Sequence, residues 1–426
     1  MTTLRLKGGR IVDPSQGIDT VDDLYIRDGL IVGTSLDGPL PTEADQVLDV
    51  TGCIVSPGLI DVRVKLGEPG FEEDETIATG TAAALAGGFT TVAALPDTNP
   101  AGDSRAGAEF VARQAERASN CHVLPLGAVT KQSAGEELAE IGQLVAGGAR
   151  AFCDGKRAIS NSEVMRRAAA VRRDVQAADL PPSAIAGVGS GWSDARRLLV
   201  DATGVAGDPA AAEEIMVRRD IALAEHTGGG CISWRSVIKK QRRRGSRGEA
   251  AGHRRDGRCH AASSRVDGRV AAIVRSAIQG AAAAAAQEHI DALIEGLKDG
   301  TIDVITSGHE PWADEKKDRE IDLAPFGIIG LETLLPVCIK ALIEPGLLTW
   351  PELLAKLTVG PSRLLGLSAG TLAAGAVADV TVIDPQVEWT IDVRRLKSLS
   401  RNTPFDGWQV RGRSRHTIVA GRIHSY

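Results

Sequence analysis

Residues 56–70 read SPGLIDVRVKLGEPG, and the organisation of the chain can be worked out from this segment. The Pro-Gly pair at 57–58 interrupts an apolar run and predicts a turn set into a buried strand. From Asp61 onwards polar and apolar residues alternate, which is the period of a strand with two different faces. Asp61, Arg63 and Lys65 are therefore predicted to lie on one face of this strand, and two of the three are cations.

The sequence from residue 56 to residue 364 alternates between strand and helix patterns. Helical stretches end at Gly pairs such as 87–88 and 147–148, and a short apolar strand follows each pair. This alternation predicts parallel βα units that close into a (βα)8 TIM-like barrel, an α/β fold with its functional side chains at the carboxyl ends of the strands. The predicted helices are 76–86, 106–117 and 136–146, and the predicted strands are 89–95, 123–126 and 149–153.

The two ends of the chain, residues 1–55 and 365–426, have a different pattern of short apolar strands separated by turns. Asp28-Gly29 is a turn signal between two apolar triplets. Similar strand patterns recur at 377–385 and 416–423. Both ends are therefore predicted to form β-hairpins of a sandwich.

The composition of the chain argues against several classes of protein. Its 426 residues carry a formal net charge of −6, so the chain as a whole lacks the basic surface of a nucleic-acid-binding protein. No run of about 18 apolar residues predicts a membrane span, and no signal-peptide pattern is present. The six cysteines are scattered without a Cys-x-x-Cys pair, so free thiols are expected. We expect a cytoplasmic protein with neither nucleic-acid nor membrane partners.

Two segments, 169–202 and 229–287, break the barrel pattern. The first shows no clean strand where a barrel should have one. Within the second, residues 231–280 hold eleven Arg and two Lys against three acidic residues. Three interpretations remain open: a basic arm for nucleic acid, a solvated insertion, or a coding sequence that was read out of frame and later restored.

Three phrases resemble the dihydroorotases of the amidohydrolase superfamily. They are the segment 56–70, APFGIIGLET at 324–333 and KSLSRNTP at 397–404. The resemblance implies that both ends of the chain join in one sandwich beside the barrel. It also implies reversible hydrolysis of dihydroorotate to N-carbamoyl-aspartate in pyrimidine synthesis, with zinc as the metal.

The metal ligands implied by this resemblance are mostly replaced. The family ends its first barrel strand with His-x-His, and those two positions are Arg63 and Lys65 here. Asp154 matches an acidic ligand, whereas Gly308 stands where the family has the Asp that also serves as general base. The two later histidine ligands would fall within the atypical segments. A guanidinium and an ammonium are poor ligands, so we expect zinc to be absent or its site to be incomplete.

The substrate-binding positions implied by the resemblance are mixed. Gly67 replaces an arginine that grips the substrate carboxylate, and Asp97 replaces an asparagine. His309 persists beside the missing base. Pro325 and Gly327 belong to a phrase that matches the family closely, and we predict that they line the substrate site.

Two functional hypotheses follow from these observations. In the first, the chain is a zinc dihydroorotase acting on dihydroorotate, and its sequence carries damage or error. In the second, it is a non-catalytic homologue that acts as a structural subunit of aspartate transcarbamoylase. Allantoinase and hydantoinase are further alternatives among cyclic-amide hydrolases, and a homodimer is possible.

Overall fold

A computed structural model describes most of the chain outside the two atypical segments. The absence of an apolar period across the Arg-rich residues 231–286 predicts that they are poorly packed. Apart from residues 231–233, which form a strand, this stretch lies outside the described residues, as does most of the sequence that the out-of-frame interpretation concerns. The described residues are 2–35, 44–155, 157, 159–176, 184–187, 219–220, 222–223, 226, 231–233, 291, 293–319, 323–325 and 327–426.

Strands from both ends of the chain join in one eight-stranded sheet, as the family resemblance implies. Its order is β14-β13-β12-β5-β1-β2-β3, and β4 pairs with β1. Alternate apolar side chains of these strands, such as Leu6, Leu24 and Val380, form a core of their own. The strands are β1 (Thr3–Asp13), β2 (Ile18–Arg27), β3 (Leu30–Gly33), β4 (Gln46–Asp49), β5 (Ile54–Pro57), β12 (Val380–Thr390), β13 (Gln409–Val419) and β14 (Arg422–Ser425).

A second sheet holds six parallel strands in sequence order, which confirms the α/β barrel pattern within the described residues. The amide of Lys65, just beyond the first of these strands, donates to the carbonyl of His309 at 2.9 Å. Residues 302–309 therefore lie beside that strand. The six strands are β6 (Leu59–Val64), β7 (Phe89–Ala94), β8 (His122–Gly127), β9 (Ala151–Phe152), β10 (Ala184–Gly187) and β11 (Cys231–Ser233).

The prediction that residues 169–202 contain no strand was wrong. Residues 184–187 form β10, which pairs in parallel with both β9 and β11. Residues 184–187 are all small or apolar, so no alternation of polar and apolar residues marks them as a strand in the sequence. Their strand conformation is instead supported by backbone hydrogen bonds to neighbours that are distant in sequence.

The Pro57-Gly58 turn carries the chain from one sheet to the other. β5 pairs with β1 and β12 in the terminal sheet, whereas β6 begins at Leu59 and pairs with β7 in the barrel. A Cβ atom at Gly58 would overlap the side chain of Thr90, so this close approach of the two sheets requires glycine.

Several helices that pack against barrel strands begin with side-chain caps. Thr76 forms a capping box with Thr79, and Ser104 caps the next helix. No helix among the described residues is long and apolar enough to cross a membrane. The α-helices that lie wholly within the described residues are α1 (Ile77–Ala86), α2 (Arg105–Ala118), α3 (Ile141–Ala146), α4 (Ser162–Gln176), α5 (Asp314–Lys317), α6 (Leu334–Cys338), α7 (Trp350–Leu357) and α8 (Val359–Leu365).

Two buried threonines fasten the terminal sheet to the barrel. The hydroxyl of Thr381 on β12 donates to the carbonyl of Gly88 at 2.6 Å, and that of Thr417 on β13 donates to Leu85 at 2.7 Å. Both acceptors lie at the carboxyl end of α1, where helix carbonyls lack intrahelical partners. The terminal sheet therefore satisfies polar groups of the first βα unit while it covers its apolar side.

Candidate functional site

Asp61 on β6 fixes the geometry of the carboxyl end of this strand. Its carboxylate is fully buried and accepts hydrogen bonds from the amides of Arg63 at 2.9 Å and Ser307 at 2.8 Å, and from the hydroxyl of Thr306. These bonds hold residues 306–307 against β6 and thereby position Gly308 and the residues after it. The alternation in the sequence placed Asp61 on this face but gave no sign of its role.

Lys65, directly beyond β6, is a buried cation. Its side chain is 5% exposed, and its ammonium lies 3.2 Å from the Asp74 carboxylate. The ammonium also lies 3.7 Å from the ring centre of Trp312 and 5.1 Å from that of Phe71. An aromatic face attracts a cation, most strongly where water is excluded. The position expected to hold a histidine ligand is thus occupied by an ammonium with partners of its own.

Asp74 receives donors from three parts of the chain. Besides Lys65, it accepts from the amide of Ala313 at 2.9 Å and from the ammonium of Lys316 at 3.0 Å. Burial alone would raise the pKa of Asp74, but these donors hold it below its ordinary value. Asp74 is therefore charged and saturated with hydrogen bonds. The acidic run EEDE at 72–75 was the sequence signal that could have pointed to a buried carboxylate in this loop.

The buried thiol of Cys153 lies within electrostatic reach of Arg63, Asp97 and Asp154. Burial raises the pKa of this thiol, the charges of Asp97 and Asp154 raise it further, and that of Arg63 lowers it. The Asp97 carboxylate lies so close to Gly155 that a Cβ atom there would overlap it. The structure therefore brings together three of the positions singled out from the sequence.

Asp154, predicted as a metal ligand, is engaged with the loop after β8. It is 1% exposed and accepts from the Thr130 amide at 2.9 Å and from the Thr130 hydroxyl. Burial raises the pKa of Asp154, although the Thr130 donors oppose this shift. This carboxylate fixes the 128–130 turn.

His309 belongs to a buried network at the other side of the site. Its Nδ1 accepts a hydrogen bond from the Gly330 amide at 3.2 Å, which places the ring proton on Nε2, 3.4 Å from the Glu75 carboxylate. Glu75 also accepts from the Ser398 hydroxyl and from the Leu399 amide at 2.9 Å. His309 thus links the barrel to the KSLSRNTP phrase.

The loop predicted to line the substrate site is bound by the chain itself. The ammonium of Lys317 donates to the carbonyls of Pro325 at 2.9 Å and Gly327 at 3.2 Å. The side-chain amide of Asn402 donates to Gly327 at 3.1 Å. The family phrase around these residues is therefore held in a defined conformation next to α5.

Comparisons with known proteins identify the family. A sequence profile described as "Dihydro-orotase-like" matches residues 52–236, and one for the "Amidohydrolase family" matches residues 246–424. The protein named "Dihydroorotase" of Anaeromyxobacter dehalogenans (strain 2CP-C) is 42% identical over 443 residues, which cover 99% of this chain and 97% of the relative. The chain belongs to the dihydroorotase-like family of amidohydrolases.

Further comparisons agree with this assignment. "Dihydroorotase" of Citrifermentans bemidjiense is 38% identical over 432 residues, 99% of each chain. "L-Hydantoinase (Dihydropyrimidinase) from Arthrobacter aurescens" has a TM-score of 0.81 at 22% identity and covers 100% of this chain and 96% of its own. "D-Hydantoinase (Dihydropyrimidinase) from Thermus sp." has a TM-score of 0.74 at 21% identity, with 99% and 94% covered. These hydantoinases share the fold of this dihydroorotase-like chain.

Amidohydrolases generally depend on metal, so the described residues can be tested for a fit to one. Among them, no group of three or more His, Cys, Asp or Glu side chains is placed to hold a metal ion. Lys65 offers donors only, and Asp154 is engaged with Thr130. The described part of the barrel does not fit a metal centre. The two later histidine positions lie outside it.

Glu332, in the retained GIIGLET phrase, is expected to make stability depend on pH. Burial raises its pKa to about 7, Glu75 adds to this shift, and the amides of Lys397 and Ser398 oppose it. A carboxyl with a raised pKa stabilises the fold fully below its ordinary pKa, and this contribution is lost as pH rises through 7. The free energy of unfolding should therefore fall by about 2–3 kcal/mol between pH 5 and pH 8 on account of Glu332.

Urea unfolding of the Glu332→Gln variant at both pH values tests this expectation. The amide keeps an acceptor for the two backbone donors but cannot ionise, so the fall with pH should be smaller than in the wild type. Glu116→Gln, at an exposed helix position, is the matched control and should keep the wild-type fall. An unchanged fall in Glu332→Gln would show that other groups produce it.

Proposed function

We propose that this chain is a non-catalytic member of the dihydroorotase-like family that acts as a structural subunit in the cytoplasm. The observation that carries the proposal is the ammonium of Lys65, 3.2 Å from Asp74 and 3.7 Å from the Trp312 ring, at the end of β6. A cation held there repels a metal ion and competes for the space of a substrate. A metal ion beside this buried ammonium would bring two positive charges together away from water, and that is costly unless both charges are compensated.

Two further features support this proposal. Gly308 has no side chain to accept a proton from an attacking water, and loss of a positioned general base typically costs about 10²–10⁴ in rate. His309, the polar neighbour that persists, has Nδ1 bonded to Gly330 and Nε2 directed towards Glu75. The groups that remain at this end of the barrel are thus committed to contacts within the chain.

The proposal predicts that the purified chain holds less than one zinc ion per protomer. The protein would be incubated with excess zinc, desalted and analysed for metal by mass spectrometry. The Anaeromyxobacter dehalogenans relative, purified in the same way, shows what a sequence named dihydroorotase retains under these conditions. Two zinc ions held through desalting would contradict the proposal.

The partner that we propose is aspartate transcarbamoylase, on the basis of the family resemblance. Its catalytic chain would be co-expressed with this chain, and the mass of any complex measured by light scattering after gel filtration. A stable complex with a defined stoichiometry is expected. Separate elution of the two chains at micromolar concentration would exclude this partner, and the mass of the chain alone would show whether it forms a homodimer.

A zinc-dependent dihydroorotase is the second candidate. It is favoured by 42% identity to a protein of that name over 99% of this chain. Hydrolysis of dihydroorotate by the purified, zinc-loaded chain separates the two functions. Turnover within the ordinary enzyme range, roughly 1–10³ per second, would establish the second candidate and refute the first.

A further inference from the structure

Lys65 joins the loop after β6 to residues 309–312, which are distant in sequence. Its backbone amide binds the His309 carbonyl, its ammonium binds Asp74, and its charge lies over the Trp312 ring. We refer to residues 310–317 as the mouth segment, because they lie against the carboxyl end of β6. The charge of a single side chain therefore contacts both the loop after β6 and the mouth segment.

Asp74 holds the mouth segment from the same point. It accepts from the amide of Ala313 and from the ammonium of Lys316, both within the segment. Lys316 lies 5.4 Å from the Phe71 ring centre and 5.6 Å from that of Trp312. Two ammonium groups thus bind one buried carboxylate, and the Phe71 and Trp312 rings lie near both ammonium groups. Lys65 is the more deeply buried of the two cations.

We propose that the Lys65 ammonium is a built-in cation that holds the mouth segment over the end of β6, so that this end of the barrel closes without a metal ion. A buried carboxylate stabilises a structure only while its charge is balanced by nearby donors. Lys65 and Lys316 provide that balance for Asp74. The inference deepens the proposed function, since it names what occupies the position where the family has a histidine ligand.

Native-state hydrogen exchange of the mouth segment tests the proposal on the full-length chain. Lys65→Met should raise the opening equilibrium constant of the segment about 10-fold, since Asp74 keeps Lys316 and the Ala313 amide. Asp74→Asn should raise it on the order of 10²-fold, because Lys65 is then buried without its carboxylate. In the double variant Lys65→Met/Asp74→Asn, the opening equilibrium constant should rise by a factor at least about 10-fold smaller than the product of the two single factors. The reason is that the two residues act as a pair.

Matched controls keep this test specific. Lys131→Met removes an exposed ammonium paired with Glu137 and should leave exchange of the mouth segment unchanged. If Asp74→Asn does not fold, Lys316→Met replaces it. Lys316 is 25% exposed, so its removal should open the segment less than Lys65→Met does. Exchange in Lys65→Met within twofold of wild type, or an additive double variant, would overturn the proposal.

A chelator separates this inference from the proposed function. Excess EDTA should leave exchange of the wild-type mouth segment unchanged, and a 10-fold acceleration would show that a metal ion closes it. Hydrolysis of dihydroorotate by the wild type would refute the proposed function but leave the coupling between Lys65 and Asp74 measurable. Loss of that coupling would refute the inference and leave the hydrolysis result as it stands.

Discussion

Replacing Arg63 and Lys65 together by histidine should leave dihydroorotate hydrolysis at background. The two imidazoles would supply only the first ligands of a metal centre. Gly308 would still provide no carboxylate to take a proton from water, a loss worth about 10²–10⁴ in rate by itself. Parts of one catalytic assembly act together, so restoring one of them recovers little of the rate. The replacement also removes one of the two cations that balance Asp74.

The measurement is hydrolysis of dihydroorotate by the double variant with added zinc. The wild-type chain is the negative control, and the Anaeromyxobacter dehalogenans relative is the positive reference. Adding Gly308→Asp to the double variant asks whether the base is the next missing part. This position has φ +57, a conformation that Asp adopts more readily than most residues. Turnover of roughly 1–10³ per second in the double variant would show that residues outside the described part complete the site.

Local patterns predicted much of the barrel. The interruption of the strand at Pro57-Gly58 and the helix predicted at 106–117 depend on neighbours in sequence. β5 ends at Pro57 and β6 begins at Leu59, and the helix is confirmed as Arg105–Ala118. The helix predicted to begin at 136 begins at Ile141 instead. The amide of Lys131 donates to the Glu137 carbonyl, and that of Ala139 to Val129. Pairing with the 129–131 loop therefore overrides the helix propensity of these residues.

The side-chain partners of the site could not be predicted in this way. Asp61 and Thr306 are 245 positions apart, and Glu75 and Ser398 are 323 apart. Periodicity identifies the face of a strand on which a side chain lies. Which side chains from distant parts of the chain contact it depends on how the barrel closes. The sequence therefore showed that Arg63 and Lys65 replace histidines without showing that Asp74 and Trp312 would surround one of them.

Substituting Gly67 with arginine, the residue implied at this position by the family, should lower the free energy of unfolding by about 2–5 kcal/mol. Gly67 is buried and has φ +72, a left-handed conformation that costs other L-residues about 1–2 kcal/mol. A Cβ atom would also lie 2.7 Å from the Phe71 carbonyl oxygen and overlap that of Glu75. Backbone shifts of the kind needed to relieve such overlap typically cost a further 1–3 kcal/mol.

Gly67→Ala isolates the backbone part of this cost, and Gly52→Ala is its matched control. Gly52 has φ +80 and no atom within 4 Å of a Cβ position, so alanine there meets the strained conformation without the overlap. Urea unfolding followed by circular dichroism should show Gly67→Ala to be less stable than Gly52→Ala by at least about 1 kcal/mol. Equal stabilities would mean that the 66–76 loop moves at little cost. If the difference is found, the arginine cannot be restored without displacing the loop that carries Asp74 and Glu75. The contacts that close this end of the barrel would then exclude the group expected to bind a substrate carboxylate.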